Sequence, residues 1–307
     1  MDTDLDTLLI ALYVELTDRI LPSLQTRHGP GPGHPPKVTD AELACLAVAQ
    51  VLLRFNNERH WLRAAPTLLG HLFPRLLSQS EYNRRLRAAG PVMEAALRWL
   101  AAHTPSTTEL LRLMDGTPVP CGASRQTAKR SDLAGWAGYG IDKSHHRFYW
   151  GAELMLLCAP DGAVTGFGLV NPKLVKERDA VRLLLAEPKN RPPRGTVEVC
   201  DKGFAGAGFE AELAELGIAV VRPARKDEPH DGRFPFWLRQ RIESVNWTLK
   251  GQLGLAAHGG RVRSGLWARV VQRLLALNAV IWHNWNAGVD RKRSLITYDH
   301  VTPPIGT

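Results

Sequence analysis

The chain has 307 residues, 44% of them hydrophobic, which is enough apolar material to bury a core in about two domains. Its 39 lysine and arginine residues outnumber 30 acidic ones, and the net charge of +9 favours nucleic acid as the partner class. No apolar run approaches the ~18 residues of a membrane span, and Asp2, Asp4 and Asp6 stand where a signal peptide needs positive charge. We therefore expect a cytoplasmic protein without a membrane partner.

Residues 1–105 are predicted to form an all-helical region. Thr39 to Glu42 has the form of a capping box, in which the two terminal side chains satisfy exposed amides at the start of a helix. The segment 58–100 has a similar helical pattern of apolar residues, interrupted at two prolines. These features predict helices rather than strands in the first third of the chain.

A short basic helix is predicted over Ser80 to Arg87, after a helix and a turn. This order is compatible with a helix-turn-helix motif, whose second helix enters the major groove of DNA. An ordinary solvated helix face has the same composition, so both interpretations stay open. Under the first interpretation, the DNA-contacting side chains are those of Arg84, Arg85 and Arg87.

From residue 106 the pattern changes to alternating strands and helices. Short apolar runs bounded by turn signals such as Pro160-Asp161-Gly162 predict strands, and amphipathic segments predict helices. The predicted order is β-β-β-α-β-α-β-α, with elements at 110–114, 148–158, 163–170, 177–186, 196–200, 208–216, 218–222 and 236–253. The predicted fold class is α/β, with a mixed sheet flanked by helices in a domain at 106–290 and a tail at 291–307.

Two aspartates are predicted at the ends of neighbouring strands. Asp115 closes the first strand, and Asp201 closes the strand at 196–200. Side chains at the carboxyl ends of neighbouring strands meet at one edge of a sheet, where α/β proteins usually carry their active sites. We therefore expect these two carboxylates to lie close together.

A third carboxylate, Glu243, is predicted on an amphipathic helix over 236–253. At about 100° per residue, the apolar side chains of this segment fall on one face of the helix. These are Leu238, Ile242, Val245, Leu249 and Leu253. The opposite face carries Phe236, Arg239, Glu243, Trp247 and Lys250. The helix is therefore expected to present a carboxylate flanked by two cations.

Carboxylate oxygens are the ligands that Mg²⁺ prefers in proteins. Two such ions, held by Asp115, Asp201 and Glu243, would activate the attacking oxygen and stabilise the leaving oxygen of an in-line phosphoryl transfer. Arg239 and Lys250 would then hold the phosphates next to the scissile bond. Each acid taken alone also fits a structural role, because strand-end aspartates often form turns and surface glutamates often pair with helix neighbours.

The tract 121–147 joins the first two predicted strands and mixes basic with aromatic side chains. This mixture fits a segment that follows a nucleic-acid backbone and stacks on an unpaired base, and it fits a solvated loop equally well. His145 and His146 are not expected to form a metal pair, because adjacent residues of a strand point to opposite faces. The other residues concerned are Arg125, Lys129, Arg130, Trp136, Tyr139, Lys143 and Arg147.

Three segments of the chain resemble the acidic motifs of the DDE transposases of bacterial insertion sequences. They are Leu113-Met114-Asp115-Gly116, Val199-Cys200-Asp201-Lys202-Gly203-Phe204, and Arg239-Gln240-Arg241-Ile242-Glu243 with Lys250. The third is similar to the family's Tyr-x2-Arg-x3-Glu-x6-Lys signature, with Phe236 at the tyrosine position. The resemblance extends over about 110–286, and more loosely over Ser80 to Arg87.

The resemblance implies an RNase H-like fold and a dependence on Mg²⁺ or Mn²⁺, with Asp115, Asp201 and Glu243 as catalytic and metal-binding residues. It implies recognition of the terminal inverted repeats of an insertion sequence, cleavage by water, and joining of the freed 3′-hydroxyl to target DNA. It also implies a homodimer or a higher assembly on double-stranded DNA, associated with the bacterial nucleoid. The nucleic-acid contacts expected in the catalytic region are those of Arg239, Lys250 and Lys202.

Two alternative functions share parts of this pattern. An RNase H-like nuclease that cuts DNA without joining it would need the same three carboxylates. A helix-turn-helix DNA-binding protein with an inert nuclease half would need only the basic helix. The complete set of three acids argues against this second alternative.

Overall fold

The computed structural model describes residues 3–25, 36–142, 147–226, 228 and 234–301, so His145 and His146 lie outside the described residues. Its helices are α1 (Leu5–Glu15), α2 (Leu21–Gln25), α3 (Asp40–Leu52), α4 (Glu58–Leu69), α5 (Gln79–Ala88), α6 (Gly90–Ala102), α7 (Arg125–Arg130), α8 (Glu177–Ala186), α9 (Ala207–Glu215), α10 (Phe236–Trp247) and α11 (Arg263–Asn286). Its strands are β1 (Leu111–Gly122), β2 (Gly138–Asp142), β3 (Arg147–Cys158), β4 (Val164–Val170), β5 (Thr196–Val199) and β6 (Ile218–Val221).

The chain divides into two compact units. The helical unit comprises Met1–His103 and Leu249–Thr307, and the sheet unit comprises Thr104–Thr248. The N-terminal region is helical, as predicted, and α3 begins with the predicted capping box: the Thr39 hydroxyl accepts the Glu42 amide at 3.1 Å, and the Glu42 carboxylate accepts the Thr39 amide. None of the described helices is long and apolar enough to cross a membrane.

The long helix α11 is buried on almost all sides within the helical unit. It packs against α3, α5 and α6. Its polar side chains also reach partners on these helices: Gln272 Nε2 donates to the carbonyl of Ala47 at 2.7 Å, and Asn278 Nδ2 donates to that of Leu97 at 3.1 Å. A helix without a solvated face needs neighbours all around it, and the N-terminal helices provide them.

The boundaries of the helical unit differ from the predicted domains. The prediction assigned 106–290 to the catalytic domain and 291–307 to a tail, whereas the chain from Leu249 onward groups with the N-terminal helices. Within the predicted tail, Tyr298 is buried and its hydroxyl donates to Asn284 Oδ1 at 2.7 Å. The apolar stripe of α11 predicts a buried helix but carries no information about which partner buries it.

The sheet unit contains one mixed sheet with the strand order β2-β3-β1-β5-β6, and β4 pairs with β3. Strand β3 runs antiparallel to β1, β2 and β4, whereas β5 is parallel to β1 and β6. Helix α8 packs against β3 and β4, α9 against β6, and α10 against β1. A mixed sheet with flanking helices after a helical region confirms the predicted fold class and is compatible with an RNase H-like arrangement.

Strand β1 is longer than predicted. The prediction ended it at Asp115, but pairing with β3 continues to Gly122, so Asp115 lies inside the strand opposite Leu156. Pro118 and Pro120 are tolerated because β5 pairs with residues 111–113 of β1 only. After residue 113, the edge of β1 on the β5 side is not paired with β5. The N–H group that each proline lacks is therefore not needed for a backbone hydrogen bond to that strand.

Two elements in the tract 121–147, α7 and β2, were not predicted. Strand β2 contains two glycines, which weaken the sequence signal for a strand. One of them has a packing reason, because a Cβ atom on Gly140 would lie 2.6 Å from the phenol ring of Tyr149 on the paired strand β3. Glycine at position 140 thus leaves room for the Tyr149 ring beside β2, although it weakens the sequence pattern that would predict a strand.

A buried glutamate lies in the middle of the sheet. Glu198 on β5 pairs in register with Arg112 on β1 and is 1% exposed. Neither of its carboxylate oxygens has a hydrogen-bond partner among the described residues. Burial raises the pKa of Glu198 to about 8, and the positive charge of Arg112 lowers it only in part.

We expect this glutamate to make the free energy of unfolding fall as pH rises. Since its pKa is higher in the folded state, the folded protein keeps the proton between about pH 4.5 and about pH 8 while the unfolded chain loses it. Glu198→Gln should make the free energy of unfolding less dependent on pH in this range. Near pH 8, it should raise the free energy of unfolding by ~2 kcal/mol. Denaturant unfolding at several pH values measures the effect. The exposed Glu215→Gln is the control, and an equal pH dependence in both variants would refute the assignment.

Candidate active site

Asp115 projects from β1 toward α10. Its Oδ2 accepts a hydrogen bond from Asn246 Nδ2 on α10 at 2.8 Å, and its Oδ1 accepts one from the backbone amide of Gly116 at 2.9 Å. The preceding residue, Met114, points to the opposite face of the sheet and packs in the core beneath α8 and α9. The alternation of β1 therefore places an apolar side chain in the core and a carboxylate under α10.

The carboxyl group of Asp115 lies in an unusual electrostatic environment. Burial is the main cause that raises its pKa to about 7, and the negative charges of Asp201 and Glu177 raise it as well. The hydrogen bonds from Gly116 and Asn246 act in the opposite direction but do not compensate. Asp115 is therefore a carboxyl group near two others, without enough positive charge to balance them.

Asp201 follows β5 directly and begins a short 3₁₀ segment, Lys202–Phe204. Its Oδ1 accepts a hydrogen bond from the Lys202 amide at 2.6 Å, and its side chain is 41% exposed. Phe204 ends this segment and is 2% exposed in the core formed with α8 and α9. The buried phenylalanine anchors the turn, and the turn holds the Asp201 carboxylate at the end of β5.

One guanidinium group joins the second and third acids. Arg239 Nε lies 3.0 Å from Glu243 Oε1, one helical turn further along α10, and Arg239 Nη1 lies 3.8 Å from Asp201 Oδ1. The structure thus brings Asp201 and Glu243 to the same arginine, and Asp115 lies close enough to Asp201 for their charges to interact. The described contacts therefore link Asp201 with Glu243 through Arg239 and link Asp201 with Asp115 through charge, while the convergence of all three acids stays a prediction.

The helix that carries Glu243 has one buried and one exposed face, as predicted. Leu238, Ile242 and Val245 are buried, whereas Phe236 and Trp247 on the opposite face are 61% and 63% exposed. These burial values confirm the predicted stripe within α10.

Lys250 is separated from Glu243 by a change of helix type. The α-helix ends at Trp247, and Thr248–Gln252 forms a π-helical segment with i→i+5 bonding. The helix predicted over 236–253 therefore changes type after Trp247, although Leu249 and Leu253 are buried as the predicted stripe requires. Lys250 belongs to the helical unit, and its contact with nucleic acid stays a prediction.

The residues present suit a divalent cation by their chemistry. Asp115, Asp201 and Glu243 supply hard oxygen donors. Burial is the main cause of the raised pKa of Asp115, and the negative charges of Asp201 and Glu177 add to it. Among the described residues, however, no three acidic, histidine or cysteine side chains are already grouped as metal ligands. The guanidinium of Arg239 lies beside Asp201 and Glu243 instead.

One further carboxylate near the site, that of Glu177, was not found by sequence reasoning. Its negative charge raises the pKa of Asp115. A Cβ atom on Gly203, two residues after Asp201, would lie 2.8 Å from Glu177 Oε2, so the glycine leaves room for this acid. Glu177 is the first residue of α8, where an acid is the ordinary complement to a helix N-terminus, so the sequence held no sign of a second role.

The basic side chains predicted to contact nucleic acid have different surroundings. Arg85 on α5 is held within the helical unit, since it donates to the carbonyl of Val38 and to Asp40 Oδ1, the latter at 2.6 Å. Arg84 and Arg87 are exposed, as is Lys202 in the sheet unit. The contacts of Arg85 give it a structural role, while the DNA contacts of all four remain predictions.

Comparisons of this chain with protein-family models, with curated proteins and with solved structures found no match.

Proposed function

We propose that this protein is a metal-dependent DNA-cutting and DNA-joining enzyme of the DDE transposase kind, acting at the ends of an insertion sequence. The observation that carries the proposal is the contact of Asp201 and Glu243 with the same arginine, Arg239, together with the effect of the Asp201 charge on the buried carboxyl group of Asp115. The strand order of the sheet unit supports it, because the order is compatible with an RNase H-like domain. Asp115, Asp201 and Glu243 are the proposed catalytic and metal-binding residues.

Each side chain has a distinct part in the proposed reaction. Mg²⁺ or Mn²⁺ bound by the three carboxylates would supply activation of the attacking oxygen and charge stabilisation of the leaving one. Asn246 orients Asp115 through a hydrogen bond to one oxygen, which leaves lone pairs on the carboxylate for a cation. Cation binding would also take over the charge balance that Arg239 provides to Asp201 and Glu243, which makes its guanidinium available to a DNA phosphate.

The proposed substrate is double-stranded DNA that carries the terminal inverted repeats of the element, together with target DNA. The net charge of +9 supports a polyanionic partner. Cleavage at two element ends would require two active sites, so we propose a homodimer or a higher assembly on DNA. Location in the cytoplasm, with the nucleoid when DNA is bound, belongs to the same proposal.

A strand-transfer assay tests this function. The substrate is a labelled duplex from the end of the DNA element that encodes the chain, incubated with Mg²⁺ and a supercoiled plasmid target. We expect 3′-hydroxyl ends to be produced and joined covalently to the plasmid. Cleavage without joined products would identify a nuclease, and binding of the duplex without either product would identify a non-catalytic DNA-binding protein.

The cations Lys250 and Arg239 provide a further prediction. Lys250→Ala and Arg239→Ala should each change stability by no more than about 0.5 kcal/mol. Each should nevertheless lower strand transfer, and the slope of log affinity against log salt should shrink by about one unit for each lost phosphate contact. Arg241→Ala on the same helix is the charge-matched control. Full strand transfer in both test variants would show that the phosphates are held elsewhere.

A further inference from the structure

A cavity of about 410 Å³, lined mostly by residues with polar side chains, lies within the helical unit. Its walls come from the start of α4, from one face of α5, and from the loop that leads into α11. Gln79, Asn83 and Arg87 line it from α5, at intervals of four residues, so they belong to one face of that helix. Its volume falls within the range of small-molecule sites.

The acid in the cavity wall is already neutralised. Glu58 binds Arg269 through Oε1 and accepts a hydrogen bond from Asn83 Nδ2 through Oε2 at 2.9 Å. The side chains of Glu58 and Arg269 are 13% and 8% exposed, so this ion pair forms part of the interior surface. The negative charge of Glu58 is therefore balanced by Arg269 and does not neutralise the two other arginines that line the cavity.

Those arginines, Arg87 and Arg261, give the cavity a net positive charge. Both side chains line it, both are exposed, and neither has a hydrogen-bond or ion-pair partner among the described residues. Each is a planar set of donors suited to two phosphate oxygens. Two unpaired guanidinium groups at one concave site favour an anion.

The remaining lining groups add partial positive charge and hydrogen-bonding capacity. Helix α11 begins at the cavity, where its N-cap residue is Val262. The valine side chain cannot accept a hydrogen bond, so it does not cap the first backbone amides of the helix, which carry partial positive charge. Asn56 and Gln79 contribute amides, which carry both a donor and an acceptor and match the edges of nucleic-acid bases. The lining thus combines two guanidinium groups with the side-chain amides of asparagine and glutamine.

We propose that this cavity binds a nucleotide unit through its phosphate, either within a DNA strand or as a free nucleotide. Arg87 and Arg261 hold the phosphate, and the amides of Asn56 and Gln79 contact the base or the sugar. Such binding needs none of the metal chemistry proposed for the sheet unit, so it can be measured without divalent cations and can fail independently.

The test compares a double variant, Arg87→Gln with Arg261→Gln, with the wild type. Because both side chains are exposed and unpaired, the variant should melt at the wild-type temperature. A control with Arg63→Gln and Arg75→Gln removes the same charge from exposed arginines of the helical unit that do not line the cavity. The probes are 2′-deoxyadenosine 5′-monophosphate, followed by calorimetry, and a labelled single strand of roughly 12 nucleotides, followed by anisotropy.

We expect the double variant to bind at least one probe about tenfold more weakly than the control does. If the double variant loses affinity for both probes, the cavity binds a DNA strand. The same holds if it loses affinity for the single strand alone and its slope of log affinity against log salt is smaller by roughly one unit. Loss toward the mononucleotide alone assigns it to a free nucleotide. Equal affinities of the double variant and the control for both probes, with both proteins folded, would overturn the proposal.

Discussion

Asp201→Asn is expected to lower DNA cleavage by about two or more orders of magnitude while leaving DNA binding almost unchanged. The substitution keeps the size and shape of the side chain but removes the charge that holds a cation. It also removes the negative charge that faces Asp115 and Arg239. Cleavage of a labelled element-end duplex and the affinity for the same duplex are the two measurements.

The control for this substitution is Asp132→Asn, an exposed aspartate of the same unit. It changes charge and size by the same amount and should leave cleavage at the wild-type rate. Near-normal cleavage by the Asp201 variant in Mg²⁺ would show that Asp201 is only the cap of the turn that it begins. An equal loss in both variants would show a general effect of surface charge.

Phe204→Ala is expected to destabilise the protein by about 3–5 kcal/mol, because it leaves a cavity in a closely packed core. Phe204 is 2% exposed and packs with Met114 below the sheet and with Phe209 of α9. Since it ends the turn that Asp201 begins, the same change should loosen the Asp201 carboxylate. Denaturant unfolding measures the first effect, and cleavage at a temperature where the variant is still folded measures the second.

The control for the core substitution is Phe148→Ala, because Phe148 is 75% exposed on β3 of the same unit. It removes the same side chain from a surface position and should change stability by no more than about 1 kcal/mol. A loss of similar size in both variants would mean that Phe204 is not an anchor of the core. Normal cleavage by folded Phe204→Ala protein would mean that the turn does not need it.

The parts of the site that follow a local period were predictable from sequence. The stripe of Leu238, Ile242 and Val245 fixes which side of α10 is buried, and therefore that Glu243 faces away from the core. The i,i+4 spacing likewise allows Arg239 to reach Glu243. The apolar pattern did not reveal the change of helix type after Trp247, because Leu249 within the π-helical segment and Leu253 directly after it are buried just as an α-helical stripe predicts.

The parts that depend on tertiary contacts were not predictable. Asn246 binds Asp115 across 131 residues of sequence, and Glu177 acts on Asp115 from the start of α8. Neither has a local pattern that distinguishes it from an ordinary helix residue. The prediction ended β1 at Asp115, where its apolar run ends, and the continuation to Gly122 depends on pairing with β3, which no local pattern reveals.

The long C-terminal helix illustrates a similar limit for domain organisation. Its apolar positions predict burial, and burial is what α11 shows, but the period of a helix does not name its partner. The partner is decided by polar groups as well: Arg269 pairs with Glu58 and Gln272 bonds to Ala47, both in the N-terminal helices. Two segments that are distant in sequence therefore form the helical unit, and the segment between them in sequence forms the sheet unit.

The most direct test of the proposed metal-dependent chemistry is the position of a bound cation. Crystals of the protein grown with Mn²⁺ would give anomalous difference density at each manganese ion. We predict density within coordination distance, about 2.1 Å, of carboxylate oxygens from Asp115 and Asp201, with Glu243 in the same site. Manganese bound only at other residues, or no manganese at a concentration that supports cleavage, would contradict the assignment of these three acids.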